Sequence, residues 1–122
     1  MHIRLVKSFD FQGAHWLPTF PPDHKCRRLH GHSFRVDVVV EGPVPEDRGY
    51  LIDYGDITKV IGPIRDRLDH HLLNEIEGLG NPTAEILARW IFEHLRPQLP
   101  LLTEVRVHET CTNEAAYRSS DL

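Results

Sequence analysis

Nine of the 122 residues are histidines, and imidazole is the side chain whose proton and metal chemistry both operate near neutral pH. His30 and His32 stand two apart in Leu29-His30-Gly31-His32-Ser33-Phe34. In an extended segment that spacing puts both rings on one face, with Phe34 and Val36. His15 follows an alternating run, Ile3, Leu5, Phe9 and Phe11, and keeps its parity unless Gly13 bends the chain first. Three imidazoles at neighbouring strand ends make a three-nitrogen zinc site whose fourth position can take water or substrate. The competing reading is a chance His-x-His pair with a hydrogen-bonded loop histidine at position 15.

Cys26 precedes His30 by four residues, in Lys25-Cys26-Arg27-Arg28. Positive neighbours and a nearby metal favour the thiolate, the reactive form of cysteine. Alternatively the sulfur closes the zinc shell as a fourth protein ligand, or it is an inert buried thiol. The same cations suit a phosphorylated substrate, or else form a solvated basic loop. In Asp69-His70-His71 an acid adjoins an imidazole, a proton relay if the fold aims it at the thiol. The plainer alternative is a histidine on a helix C-terminus. Glu109 shares strand parity with Val105 and Val107, so its carboxylate should point inward and need a partner there. A ligand with adjacent N–H donors, such as a 2-amino-4-oxo pyrimidine edge, supplies one. An arginine of the chain would serve as well, and an exposed strand end would remove the need.

Two motifs fail. His108-Glu109-Thr110-Cys111-Thr112 lacks the second histidine of a zincin helix, and Gly78-Leu79-Gly80 lacks the third glycine of a dinucleotide fingerprint. The balance of 14 basic and 18 acidic side chains, formally −4, opposes binding to a nucleic-acid backbone. No apolar run approaches the roughly 20 residues of a membrane span, and residues 1–7 are too short and broken for a secretory signal. Cys26 and Cys111 are the only cysteines, so free thiols in the cytoplasm are expected rather than a disulfide framework. A hydrophobic share of 40% supports one folded domain over residues 1–122.

The elements that must hold these residues follow from periodicity. Strands are expected at residues 3–12 and 30–41, the latter with Phe34, Val36, Val38 and Val40 on one face and Arg35, Asp37 and Glu41 on the other. Prolines 18, 21 and 22 make residues 13–28 a loop. Gly42-Pro43 through Gly49 should turn the chain into a short returning strand at 50–52. A helix over 57–68, capped by Asp53 or Asp56, carries Ile57, Val60, Ile61, Ile64 and Leu68, with a kink or break at Gly62-Pro63. A second helix begins at Asn81 as N-cap with Pro82 in its first turn, carries Ile86, Leu87, Trp90, Ile91 and Leu95, and stops at Pro97. A last strand spans 103–111. The pattern predicts an α+β fold with helices on an antiparallel sheet.

Taken together, Phe11-Gln12-Gly13-Ala14-His15, Cys26 through Phe34, Leu68-Asp69-His70-His71-Leu72, Asn81-Pro82-Thr83-Ala84-Glu85 and Glu109-Thr110-Cys111-Thr112 resemble the 6-pyruvoyl-tetrahydropterin synthase superfamily. The similarity runs from about Phe9 to Arg118. Three residues between the cysteine and His-Gly-His resemble the 6-carboxytetrahydropterin synthase branch of queuosine biosynthesis. The resemblance implies a tunnelling fold, with a four-stranded antiparallel sheet and two helices on one face. It also implies trimers paired into hexamers, with active sites at subunit interfaces. It makes His15, His30 and His32 the Zn2+ ligands, Cys26 the general base and His70 the relay histidine beside Asp69. Glu109 becomes the pterin anchor, with Thr83 and Thr110 also binding substrate. The implied reaction converts 7,8-dihydroneopterin triphosphate to 6-carboxytetrahydropterin, acetaldehyde and triphosphate. The alternatives are a 6-pyruvoyl-type lyase or a zinc-stabilised binding module without turnover.

Overall fold

A computed structural model describes residues 1–110 and 112–120. The alternating N-terminal run forms β1, His2–His15, whose inward side chains become more deeply buried toward its C-terminal end. The chain returns as β2, His30–Pro43, paired antiparallel with β1 from His2 opposite Pro43 to His15 opposite His30. Gly13 therefore does not bend the strand. It lies among Phe11, Leu73 and Phe34, where a Cβ would come within 3.2 Å of the Phe11 ring. The predicted loop is accordingly shorter than 13–28, and it contains successive tight turns, closed by Phe20 N–H donating to the Leu17 carbonyl and His24 N–H to the Pro21 carbonyl, before a 3-10 turn over Lys25–Arg27.

The segment 50–52 is not a strand. The Arg48 guanidinium takes the carbonyls of Tyr50 and Leu51, at 3.0 and 2.5 Å, which leaves no ladder to join. Asp53 caps α1, Tyr54–Leu68, by accepting from the Gly55 amide. The helix continues through Gly62-Pro63 without the expected break. Pro63 and Lys59 are both exposed, so water can solvate the carbonyl that proline leaves without a donor. A two-residue strand follows, β3, His71–Leu72, parallel to β1 at Gly13 and Ala14. The second helix, α2, spans Ala84–Leu95, and Thr83, not Asn81, is its N-cap, its hydroxyl accepting from the Ile86 amide at 3.1 Å. The Asn81 side-chain oxygen is instead buried with no partner among the described residues.

The chain ends in β4, Leu102–Thr110, and β5, Asn113–Arg118, a pairing absent from the sequence reading. Sheet order is β3-β1-β2-β4-β5. The sheet is thus five-stranded and mixed, the implied four antiparallel strands being β1, β2, β4 and β5 with β3 added at one edge. One face carries the core, where Phe34, Val36, Val38, Val40, Val105 and Val107 meet Ile57, Ile61 and Leu68 of α1 and Leu87, Ile91 and Leu95 of α2. On the opposite face Asp37 accepts from Ser8 and lies 2.8 Å from His108, while Glu104 holds Arg106 and Arg118.

Candidate metal centre and active site

Because β1 continues unbent and pairs in register with β2, the parity argument closes on itself: His15 stands opposite His30, and His32 lies two residues farther along the same face. The three rings sit 4.6 to 5.1 Å apart, centroid to centroid, with Phe34 edge-on beneath His15 and His32. One donor atom from each imidazole lies within 4.8 Å of the others, a group able to hold a metal ion. Carbonyl groups set the tautomers. His15 donates Nδ1–H to the Pro82 carbonyl at 2.8 Å, and His30 donates Nδ1–H to Arg28 at 2.6 Å. Each bond leaves Nε2 with its lone pair free, the arrangement a metal-ligating histidine needs. His15 Nε2 is fully buried and has no hydrogen-bond partner among the described residues. Burial lowers the His15 pKa to about 4, against the opposing Pro82 hydrogen bond and with smaller help from its two histidine neighbours. That of His32 is lowered as well, by burial above all and despite the nearby Glu109 carboxylate. Both are neutral at pH 7, as ligation requires.

Cys26 is not in this group but beside it. A cavity of about 490 Å³ has β2 as its floor, through His30, Gly31 and His32. Leu17, Lys25 and Cys26 of the β1–β2 connection form one wall, and Glu109, Thr110 and Asn113 of the β4–β5 corner form the other. Cys26 is half-buried and free, and its loop is fixed by the Cys26 amide donating to His24 Nδ1 and by Leu17 N–H donating to the Cys26 carbonyl. Glu109 is half-buried and has no arginine partner among the described residues. The β4–β5 register shifts between His108 and Thr110, and such a bulge re-aims the side chain it carries. Thr110 keeps its hydroxyl against Thr112, at 3.2 Å. Cys111 lies outside the described residues.

Asp69 and His70 do pair, with carboxylate to Nδ1 at 3.0 Å, but they do not join Cys26. His70 lines a separate hollow with Gln12, Ser33 and His71, which meets the first only at Gly31 and His32. Its side chain is 77% exposed. Its backbone adopts the left-handed conformation, φ 60°, held by its N–H donating to the Gln12 carbonyl. Asp69 in turn accepts from the Gln12 amide and lies near Arg65. Hydrogen bonding from Gln12 and His70 keeps its carboxyl below the usual carboxylate range. Strained, well-braced backbone of this kind gathers at functional positions. Thr83, the remaining predicted substrate residue, is engaged as the α2 cap.

Three positioning groups escaped the sequence reading. The carbonyls of Pro82 and Arg28 carry no side-chain signal. Asn74 accepts from the Trp16 amide at 3.0 Å and donates to the Trp16 carbonyl at 2.7 Å. It thereby extends the β1–β3 ladder one step past His15; a polar residue beside the fully buried Leu73 was its only trace.

A family model described as 6-pyruvoyl tetrahydropterin synthase matches residues 4–120. A protein of Synechocystis named 6-carboxy-5,6,7,8-tetrahydropterin synthase is 40% identical over 97% of this chain and 95% of its own length. A dihydroneopterin monophosphate aldolase of Pyrococcus furiosus is 37% identical over 82% and 81%. The structure of Caenorhabditis elegans 6-pyruvoyl tetrahydropterin synthase superposes with a TM-score of 0.90 over 98% of this chain and 97% of that one, at 24% identity. Fold, histidine cluster and full-length similarity converge: this chain belongs to the 6-pyruvoyl tetrahydropterin synthase family.

Proposed function

We propose that this chain is a zinc-dependent 6-carboxy-5,6,7,8-tetrahydropterin synthase. It would convert 7,8-dihydroneopterin triphosphate and water to 6-carboxytetrahydropterin, acetaldehyde and triphosphate, in the cytoplasm. The observation that carries the reading is the single cavity that unites Cys26, His30, His32, Glu109 and Thr110. The donor set fits zinc: three imidazoles, one with a buried lone pair that has no partner among the described residues, and, among those same residues, no sulfur in the group. Bound there, zinc supplies Lewis acidity toward the oxygens of the substrate side chain.

The chain's own residues do the rest. Glu109 accepts two N–H donors from the pterin edge, with the hydroxyls of Thr110 and Thr83 as lesser contacts, and this fixes the side chain over the histidines. Cys26 removes a carbon-bound proton of that side chain as thiolate. His70, oriented by Asp69, carries protons onward. Since His70 and Cys26 line different hollows within one chain, the partner assigned to His70 is the Cys26 cavity of another copy. The stretch of β1 that the two-residue β3 leaves uncovered and the outer edge of β5 suit such an assembly, and a hexamer built from trimers is the form proposed. Similar relatives carry different activities, so the product decides. Zinc-loaded protein incubated with 7,8-dihydroneopterin triphosphate should accumulate 6-carboxytetrahydropterin and acetaldehyde, identified by mass spectrometry. A 6-pyruvoyl product, simple aldol cleavage or no turnover overturns the assignment. The role in queuosine biosynthesis is part of this proposal and follows the product.

A further inference from the structure

The sequence offers three cations around Cys26, and the structure distinguishes them. Arg27 is engaged, its guanidinium donating to the Phe20 carbonyl at 2.9 Å. Arg28 is exposed and does not line the Cys26 cavity, and its carbonyl is occupied by His30. Lys25 alone lines the cavity, beside Cys26, and forms no ion pair with a described carboxylate. Among the described residues the cavity's one carboxylate, Glu109, stands on the β4 side of the β2 floor, and Lys25 stands on the β1–β2 connection across it. The cavity is therefore polarised, anionic on one wall and cationic on the other. A phosphate chain is repelled by the first and drawn to the second.

We infer that Lys25 is the phosphate-reading residue of this cavity: its ammonium binds the oligophosphate of a substrate whose opposite end is held by Glu109. The inference rests on the pterin reading of Glu109 given above and adds which end of the cavity takes the phosphates and which residue selects for them. An exposed ammonium acts on phosphate as a point charge, so the contact favours phosphorylated over dephosphorylated ligand and weakens with added salt.

The test measures equilibrium binding of 7,8-dihydroneopterin and its triphosphate to metal-loaded, full-length Cys26→Ala protein, a background chosen to stop turnover, with and without a second substitution at Lys25. Lys25→Ala should reduce the preference for the triphosphate about tenfold, the scale of a hydrogen bond to a charged group. It should leave the affinity for dihydroneopterin unchanged, and Lys25→Arg should restore the preference. An unaltered preference in Lys25→Ala overturns the assignment of Lys25 while sparing the pterin reading. Failure of either pterin to bind the Lys25-intact protein brings down the pterin reading and this inference together.

Discussion

At the scale of single residues, metal holding and proton abstraction are assigned to different atoms, and substitution should separate them. Two of the three histidine donors, His15 and His30, are oriented by the carbonyls of Pro82 and Arg28, and neither bond involves Cys26. Cys26→Ala should therefore keep its metal, read by metal analysis after gel filtration, while turnover falls to background. Loss of the metal would restore Cys26 as a fourth ligand. Glu109→Ala should also keep the metal but weaken pterin binding by about tenfold or more, because two charge-assisted hydrogen bonds disappear. Unchanged pterin affinity would remove the anchor role.

At the scale of elements, the site depends on how far β1 runs. Strand alternation alone places His15, His30 and His32 on one face, since a period of two leaves little freedom once both strands are accepted. What periodicity could not show was whether Gly13 broke the run. The answer lies in non-local packing, against Leu73 and Phe34. β5 was missed for a related reason: Asn113-Glu114-Ala115-Ala116 has weak strand propensity, and only pairing with β4 makes it a strand. Capping at Thr83 in place of Asn81 is decided by which side-chain oxygen reaches a helix amide: the Thr83 hydroxyl accepts from Ile86, and the Asn81 carboxamide does not. Asn74 is the brace that extends β1 beyond His15 by hydrogen bonding both polar groups of Trp16. Asn74→Ala should lower metal affinity about tenfold, as loss of an outer support around a metal does, with the metal titrated into apoprotein. Affinity equal to wild type would limit Asn74 to stability.

At the scale of the whole molecule, the helix-free sheet face carries a charged network centred on Asp37. Burial raises the Asp37 pKa, but hydrogen bonds with Ser8 and His108 and the charge of Arg35 outweigh it, so the folded value lies below the ordinary 3.8. A carboxyl depressed on folding adds stability above its unfolded pKa and loses it as pH falls through the folded value. The stability gap between wild type and Asp37→Asn, from urea unfolding, should be fully present above about pH 5 and shrink below pH 4. A gap independent of pH would contradict that sign. Assembly has its own test. Co-refolded Cys26→Ala and His70→Ala chains, each inactive alone, should regain activity together, because one copy's His70 serves another's Cys26. No recovery would place the relay elsewhere.

The central claim is that three imidazole nitrogens hold one zinc ion with its fourth position open and the Cys26 sulfur outside the shell. X-ray absorption at the zinc edge of the loaded protein tests it directly. Three nitrogen scatterers and one further light atom, all near 2.0–2.1 Å, are predicted. A sulfur shell at about 2.3 Å would contradict the account, since the atom assigned to take the substrate's proton would then be bound to the metal.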